Sequence, residues 1–518
     1  MTWAPLLLLG LVAGASAVGD ADKVANLPGL LFKPTFDTYS GYLNANNTDP
    51  SFQMHYWLTE SRTDAAKDPI LVWFNGGPGC SSFSGMFEEL GPFYVTKDGK
   101  QLYENIHSWN QKTNVLALES PIGVGFSYKK GDAAFVQASD DMTADQNYAA
   151  LKDFFTRVQK KYAGREFYLS GESYAGIYIP TLAKRLVDGI MSGDFPNKNF
   201  KGFAIGNGYM HVEKLLNSQV LWSYYHGRLG MEQWDTVKQQ CCAGVGNIDY
   251  CKFSDHFVTI NGMDFFSDGS LCGNLTAPLL IVDDSMDEYN YYQDCYPDKA
   301  ASEPSRMPFG RPRAIDFKTR RENPADTHWQ DSTDSQQGYP CFNEAAVQKY
   351  ANRIDVWDAI HIPQEYRDLK KPWIGCNDPM YDQYNLFKYT RTDDLFDHVI
   401  KTYNITLEHQ QWYYRNQTAG YVQRYAKADN SMFIDVVSVK GAGHFVPLDR
   451  PGQSAQMITN FLFSSTVNGG PNYNDASIVN PVPVPLPLVD QPTTEKSGGI
   501  QRFALFAAIL TVMLRVSM

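Results

Sequence analysis

Four short apolar runs, each halting at a cluster that contains glycine or proline, constrain this chain more than any other feature. They are PILVWFN at 69–75, NVLALES at 114–120, EFYLSG at 166–171 and GFAIGNG at 202–208. Continuous apolar runs of this length read as strands buried on both faces, the habit of a parallel sheet. Between two of them, SDDMTADQNYAALKDFFTRVQKKY (139–162) repeats apolar positions at helical spacing behind a Ser-Asp-Asp start. The alternation predicts a doubly wound α/β sheet. With 518 residues, 43% of them apolar, the chain can bury the two-sided core such a sheet needs.

The first half of this core is expected over 18–208. The pattern then breaks, and residues 209–375 contain six of the eight cysteines, which predicts a disulfide-stapled insertion, or cap, above the sheet. Within it, 301–335 is rich in Arg, Asp, Pro and Ser and reads as an exposed loop open to nicking. The core resumes over 376–465, with TDDLFDHVIKTY (392–403) helix-like, MFIDVVSVKG (432–441) a strand and SAQMITNFLF (454–463) a closing helix. Residues 466–499 are a proline-rich linker.

The two ends point to export. Residues 1–17 form a short apolar run closing on Ala15-Ser16-Ala17, the pattern of a cleaved secretory signal. The tail 500–518 is apolar only from Phe503 to Leu514, too short for the roughly 20 residues a membrane span needs. It reads as a frayed tail or, with Ser497-Gly498-Gly499 as attachment site, as a glycolipid-anchor signal whose polar spacer is short. Export predicts an oxidising compartment, so Cys80, Cys241, Cys242, Cys251, Cys272, Cys295, Cys341 and Cys376 are expected to pair. Metal ligation competes, but Cys241 and Cys242 are adjacent and no CxxC pair occurs. Sequons at Asn46, Asn274, Asn404 and Asn416 fit a glycosylated product. The net charge of −12 argues against a nucleic-acid partner.

Three segments carry chemistry. Gly171-Glu172-Ser173-Tyr174-Ala175-Gly176 lies between a strand and the helix-like YAGIYIPTLAKRLV, where a strained turn presents a serine hydroxyl at the sheet edge. Its glycine spacing departs by one position from G-x-S-x-G, and a plain serine N-cap is the competing reading. WFNGGPGCSS (73–82) ends another strand in glycines whose N–H groups approach a ligand unhindered. Gly77 N–H and Tyr174 N–H are the candidate oxyanion donors, each such donor contributing about 3 kcal/mol to acyl transfer. His444, in a glycine-rich turn after the last strand, is the candidate general base. An ordinary Gly-Pro turn and a structural histidine are the plainer alternatives.

Together NGGPGCSS, ESPIGVGFSY, GESYAGIYIP, IGNG and GAGHFVP resemble the signatures of the serine carboxypeptidases, the family of cathepsin A and the vacuolar carboxypeptidases, over roughly residues 25–465. The resemblance implies an α/β-hydrolase fold and removal of C-terminal residues from peptides at acidic pH, with Ser173 as nucleophile and His444 as base. It assigns Asn75, Gly76, Glu89 and Glu172 to the substrate's free α-carboxylate. Two carboxyls sharing a proton can donate to that group, whereas two ionised ones repel it. It implies the bridges Cys80–Cys376, Cys241–Cys272, Cys242–Cys251 and Cys295–Cys341. It also implies peptide substrates, a lysosomal or extracellular location and a homodimer as one assembly. No cofactor or metal is called for.

The triad acid is not found. In this fold it follows the serine and precedes the histidine, and in the family it ends a strand after a helix like DDLFDHVIKTYNI. Here that helix runs from Asn404-Ile405 straight into TLEHQQWYYRNQTAGYVQRY, so a strand, its aspartate and the helix behind it are missing. Glu408 could substitute only if the stub NITL fills the strand's place. The leading expectation is a serine carboxypeptidase acting through an acyl-enzyme on Ser173. The alternatives are a catalytically impaired secretory relative that binds or protects, and an acyl transferase to small molecules.

Overall fold

The apolar runs become strands of one twisted sheet. In the computed structural model, which describes residues 18–96, 98–259, 265–280, 289–292, 344–384, 391–392, 394, 406–426, 432–464, 466–467, 470–479 and 483–489, β1 (Thr38–Asn44) and β2 (Phe52–Thr59) pair antiparallel. The first apolar run forms β3 (Ile70–Phe74), buried at every position. A small hairpin, β4 (Phe93–Val95) with β5 (Leu102–Glu104), follows. The other runs form β6 (Asn114–Leu118), β8 (Phe167–Glu172) and β9 (Phe200–Gly206), and β7 (Tyr128–Lys129) is a short addition to β2.

The order across the sheet is β1-β2-β6-β3-β8-β9, with β6, β3, β8 and β9 parallel. Both faces are covered, which is why the strands read as unbroken apolar runs. Val72 and Phe74 of β3 face one core with Leu116, Leu118 and Leu169. Leu71 and Trp73 face the other with Val115, Tyr350 and Trp373. Phe74 is in register with Gly171, and Gly171 with Ile205. Asn75, Ser173 and Asn207 therefore leave three neighbouring strands at one carboxyl edge, where ligands of such sheets bind.

The helix Asp140–Asp153 begins where Ser139 Oγ accepts from Met142 N–H (3.3 Å). Helix Ala175–Ser192 packs beside it and ends at Gly193 in the left-handed region (φ 80°). Pro180 inside that helix has no N–H for the Gly176 carbonyl. The Thr392 hydroxyl takes its place at 2.8 Å, tying the later half of the chain to the helix start.

Residues 212–280 have their own core around Leu216, Val220, Trp234 and Phe253, stapled by Cys241–Cys272 and Cys242–Cys251, with the hairpin β10 (Phe257–Thr259) and β11 (Phe265–Ser267) alongside. Tyr350, Tyr366 and Trp373 instead pack into the main body. Cys80–Cys376 is formed, and Cys295 and Cys341 lie outside the described residues. So do residues 1–17, the loop 301–335, Asn404 and the tail 500–518. Asn274 and Asn416 are exposed, and Asn46 is half-buried with Oδ1 accepting from Thr48 N–H (2.9 Å). Among the described residues no helix is long and apolar enough to cross a membrane. The proline-rich stretch 483–489 lies against the start of the chain, with Lys33 N–H donating to Pro487 O and Val489 N–H to Leu31 O.

The last strands form a separate antiparallel sheet, β12 (Thr406–Tyr414), β13 (Gln417–Ala426) and β14 (Phe433–Val437). Arg415 and Asn416, both at positive φ, make the two-residue turn between β12 and β13. Arg424 donates to both Asp435 oxygens (2.8 and 2.7 Å) and to Pro471 O (2.6 Å), with the two side chains 1% and 4% exposed. Removing one partner of a buried ion pair strands the other charge. Arg424→Ala is expected to lower stability by about 3–5 kcal/mol in urea unfolding, and Arg424→Met with Asp435→Leu to recover most of it.

Candidate active site

The stretch after β8 folds as a strained elbow. Ser173 has φ 59°, a conformation costly for a non-glycine residue and kept where the surroundings impose it. Ser173 N–H donates to Gly206 O (3.1 Å), and Ser173 O accepts from Gly176 N–H (2.9 Å) and Tyr209 N–H (2.7 Å). The glycine spacing now has a reason. A Cβ on Gly171 would lie 2.4 Å from Phe74 O and 2.7 Å from Ala175 Cβ, so positions −2 and +2 touch and both must be small. Ala175 fills the second of them. A Cβ on Gly176 would meet Tyr209 N and O at 2.8 Å, so that glycine instead admits the Gly208–Tyr209 backbone.

The NGGPGCSS loop rests directly on this elbow. A Cβ on Gly76 would lie 2.5 Å from Tyr174 N and 2.7 Å from Ser173 Cβ. Gly77 takes φ 108°, open only to glycine. The loop is locked from behind by Cys80–Cys376, Ser81 N–H to Gly375 O (2.7 Å) and Asn377 N–H to Gly79 O (3.0 Å). Tyr174 N–H thus lies against Gly76 beside Ser173, and among the described residues neither it nor Gly77 N–H donates to another loop carbonyl.

Asn75, Glu89 and Glu172 form one buried cluster. Trp73 Nε1–H donates to Asn75 Oδ1 (2.7 Å), which turns both amide hydrogens the other way. Asn75 Nδ2 donates to Glu89 Oε1 (2.9 Å) and to Glu172 Oε1 (3.1 Å). Glu89 is delivered by a π-helical turn, Gly85–Glu89, whose Gly85 fits only because a Cβ there would strike Trp73 Nε1 at 2.4 Å. The two carboxyls also hydrogen-bond each other. Burial is the largest influence on both and raises both. Glu89 is pushed up to about 7, against the bonds from Asn75 and Glu172, and Glu172 is raised further by the Glu89 charge. Such a pair holds a shared proton at mildly acidic pH.

His444 sits on the turn after β14. Asn207 Nδ2 donates to Gly443 O (3.0 Å) and His444 O (2.8 Å), so the turn is bound to the residue that follows β9, next to the elbow. His444 N–H donates to Tyr289 O (2.6 Å), and the Tyr289 ring lies 5.2 Å from the imidazole. The fold therefore brings both segments to one rim, but no hydrogen bond joins Ser173 Oγ to the imidazole among the described residues. Burial pushes the imidazole down to about 4. Asn207, Tyr289, Asp449 and Arg450 hold the histidine turn, yet nothing in the sequence singled them out beyond the IGNG motif for Asn207 and the two positions after Val446-Pro447-Leu448 for the last pair.

The expected gap after Ile405 has a structural counterpart. Among the described residues β9 pairs only with β8, and β14 only with β13, so no strand joins the two sheets. β9 is half-exposed along its length where β3 and β6 are buried throughout. The stub at Thr406 does not fill the gap: it opens β12, where Glu408 stands in register with Arg424, two strands from the histidine turn. Glu408 is thus corrected as a substitute, because the stub pairs with β13 and not with β9.

The sequence model of the family described as serine carboxypeptidase matches residues 28–407 and 386–464, two pieces that overlap around the expected gap. Serine carboxypeptidase ctsa-3.1 of Caenorhabditis elegans is 41% identical, covering 98% of both chains over 574 aligned positions, more than the 518 residues here, so the relative has segments this chain lacks. The lysosomal protective protein of Mus musculus is 34% identical over 88% of this chain and 98% of its own. Among solved structures, a prohormone-processing carboxypeptidase of Saccharomyces cerevisiae, Kex1Δp, matches with a TM-score of 0.60 at 21% identity over 87% of this chain and 98% of that one, which shows a shared fold. The chain belongs to the serine carboxypeptidases, hydrolases on the α/β-hydrolase fold with a disulfide-stapled insertion.

Proposed function

We propose that the site binds peptides by their free C-terminal carboxylate and cleaves the last residue through an acyl-enzyme on Ser173 at acidic pH. The observation that carries this is the Asn75–Glu89–Glu172 cluster directly beside the Ser173 elbow. Asn75 and the shared proton of the pair donate to the α-carboxylate, while Gly76 lets the peptide backbone approach. His444 takes the Ser173 proton as the hydroxyl attacks the carbonyl, and Gly77 and Tyr174 N–H groups receive the oxyanion. The imidazole then protonates the leaving amine, and water releases the acyl group by the same route.

A second reading rests on the split sheet among the described residues and on the imidazole of His444, which burial pushes down to about 4: a chain that binds peptide ends with little turnover. The mouse relative supports a lysosomal or secretory location, and the signal, the glycans, a homodimer and any glycolipid anchor belong to the same proposal.

The test is hydrolysis of a blocked dipeptide near pH 5, with mass-spectrometric mapping of an alkylphosphonofluoridate adduct. An adduct on Ser173 with release of the C-terminal residue supports the enzyme. Peptide binding equal in wild type and Ser173→Ala, with turnover in neither, supports the second reading. No adduct and no peptide binding by folded protein defeats both. Peptide-acid affinity is expected to fall as pH rises through about 7, because Glu89 then ionises and its charge repels the ligand. Glu89→Gln, whose amide donates at any pH, is expected to retain binding at pH 8 in calorimetry.

A further inference from the structure

The short helix Val446–Asp449, which follows the histidine turn, packs on the π-helical turn that delivers Glu89. Asp449 ends that helix. Its Oδ2 accepts from Gly443 N–H at 2.7 Å, on the residue preceding His444. Arg450 Nε donates to Gly441 O (3.0 Å), and a Cβ on Gly441 would strike the guanidinium, so the two neighbours grip the turn from one side while Asn207 holds it from the other. The same Asp449 charge acts on both buried carboxyls, Glu89 and Glu172.

We propose that Asp449 is a positioning residue that joins two parts of the site: its carboxylate pins the turn presenting His444, and its negative charge holds the proton on the Glu89–Glu172 pair. The inference rests on the reading of that pair as the carboxylate-binding site. Among the described residues, the groups acting on the pair include Asn75 from the end of β3 and Asp449, and Tyr94 of β4 donates its hydroxyl to Glu89 O (2.9 Å). None of the leading influences on either carboxyl is a cation. A fixed anion nearby makes a second ionisation costlier, so the proton stays to higher pH. The backbone grip by Asp449, Arg450, Asn207 and Tyr289 orients the turn that carries the imidazole.

The sign follows from linkage. A carboxyl whose folded value lies above its unfolded value contributes stability that is complete below the unfolded value and is lost as pH rises to the folded one. Wild-type melting temperature should therefore decline from pH 4.5 towards 7. In Asp449→Asn the amide oxygen still accepts from Gly443 N–H but the charge is gone. The decline should be smaller and end at least half a pH unit lower, and this difference should vanish when Glu89→Gln is present in both proteins. Asp449→Ala, which also loses the bond to the turn, should melt lower at every pH. Asp449→Ser serves as the neutral variant if the asparagine protein does not fold. Identical pH profiles for wild type and the neutral variant, or a difference undiminished by Glu89→Gln, would overturn the proposal. Calorimetry with a peptide acid at pH 5 is a separate arm: absence of binding by wild type would defeat the carboxylate-site reading and leave the measured coupling of Asp449 to Glu89 intact.

Discussion

Inserting between Ile405 and Thr406 the strand, terminal aspartate and following helix of a full-length relative is expected to raise turnover of a blocked dipeptide at pH 5 by about 10⁴. That is the scale on which a triad acid acts in a well-studied serine protease, where it fixes the tautomer of the histidine and stabilises the imidazolium. In this chain burial pushes His444 down to about 4, so the imidazole is a weak base. A carboxylate at its Nδ1 would raise that value and strengthen the base. The acid limb of the rate profile should then move to higher pH, as protonation of the histidine sets in earlier. The inserted strand would also bridge β9 and β14, which now lie in different sheets, so melting temperature should rise with turnover. Steady-state kinetics and calorimetric melting of the two proteins check both. A rise in melting temperature without a gain in turnover would show that the missing strand is structural only.

In the restored chain, Gly76→Ala is expected to lower kcat/KM by about 10²–10³, the cost of losing one oxyanion donor. The added methyl has nowhere to go. It would lie 2.5 Å from Tyr174 N, 2.7 Å from Ser173 Cβ and 2.9 Å from Glu172 O, two of them backbone atoms and all three on the elbow. Relief requires either Tyr174 N–H or the Ser173 side chain to move, and each is needed in place for acyl transfer. Slower phosphonylation of Ser173 should accompany the loss. Gly246→Ala, where nothing lies within 4 Å of the new atom, is the control and should change neither rate. Equal rates for Gly76→Ala and the control would remove Tyr174 N–H from the oxyanion site.

Much of the fold was legible because its signals are local. The runs at 69–75, 114–120 and 166–171 bury both faces, and continuous apolarity encodes that directly, whereas 202–208 has the same apolar pattern but forms the half-exposed β9. The serine turn and the glycine loop could be placed because positive φ and close backbone approach leave few residue choices. YAGIYIPTLAKRLV read as a helix, but that Thr392 answers the carbonyl its Pro180 frees was not legible, since the two lie far apart in the chain. The same holds for Asp449 and Asn207: each is an ordinary polar residue in sequence, and only the packing of distant segments gives it a role.

What the sequence by itself determined, then, is the strand order's raw material, the elbow at Ser173, the glycine-rich loop before Cys80 and the break after Ile405. A residue's own backbone preference and the periodicity of its neighbours carry that information. Tertiary structure alone decided the rest: that Glu89 and Glu172 meet within one buried cluster under Asn75, that the Thr406 stub pairs with β13, and that the sheet stays open between β9 and β14 among the described residues. The physical reason is that charge sharing and strand pairing depend on distance in space and on exclusion of water, which no local stretch of chain specifies.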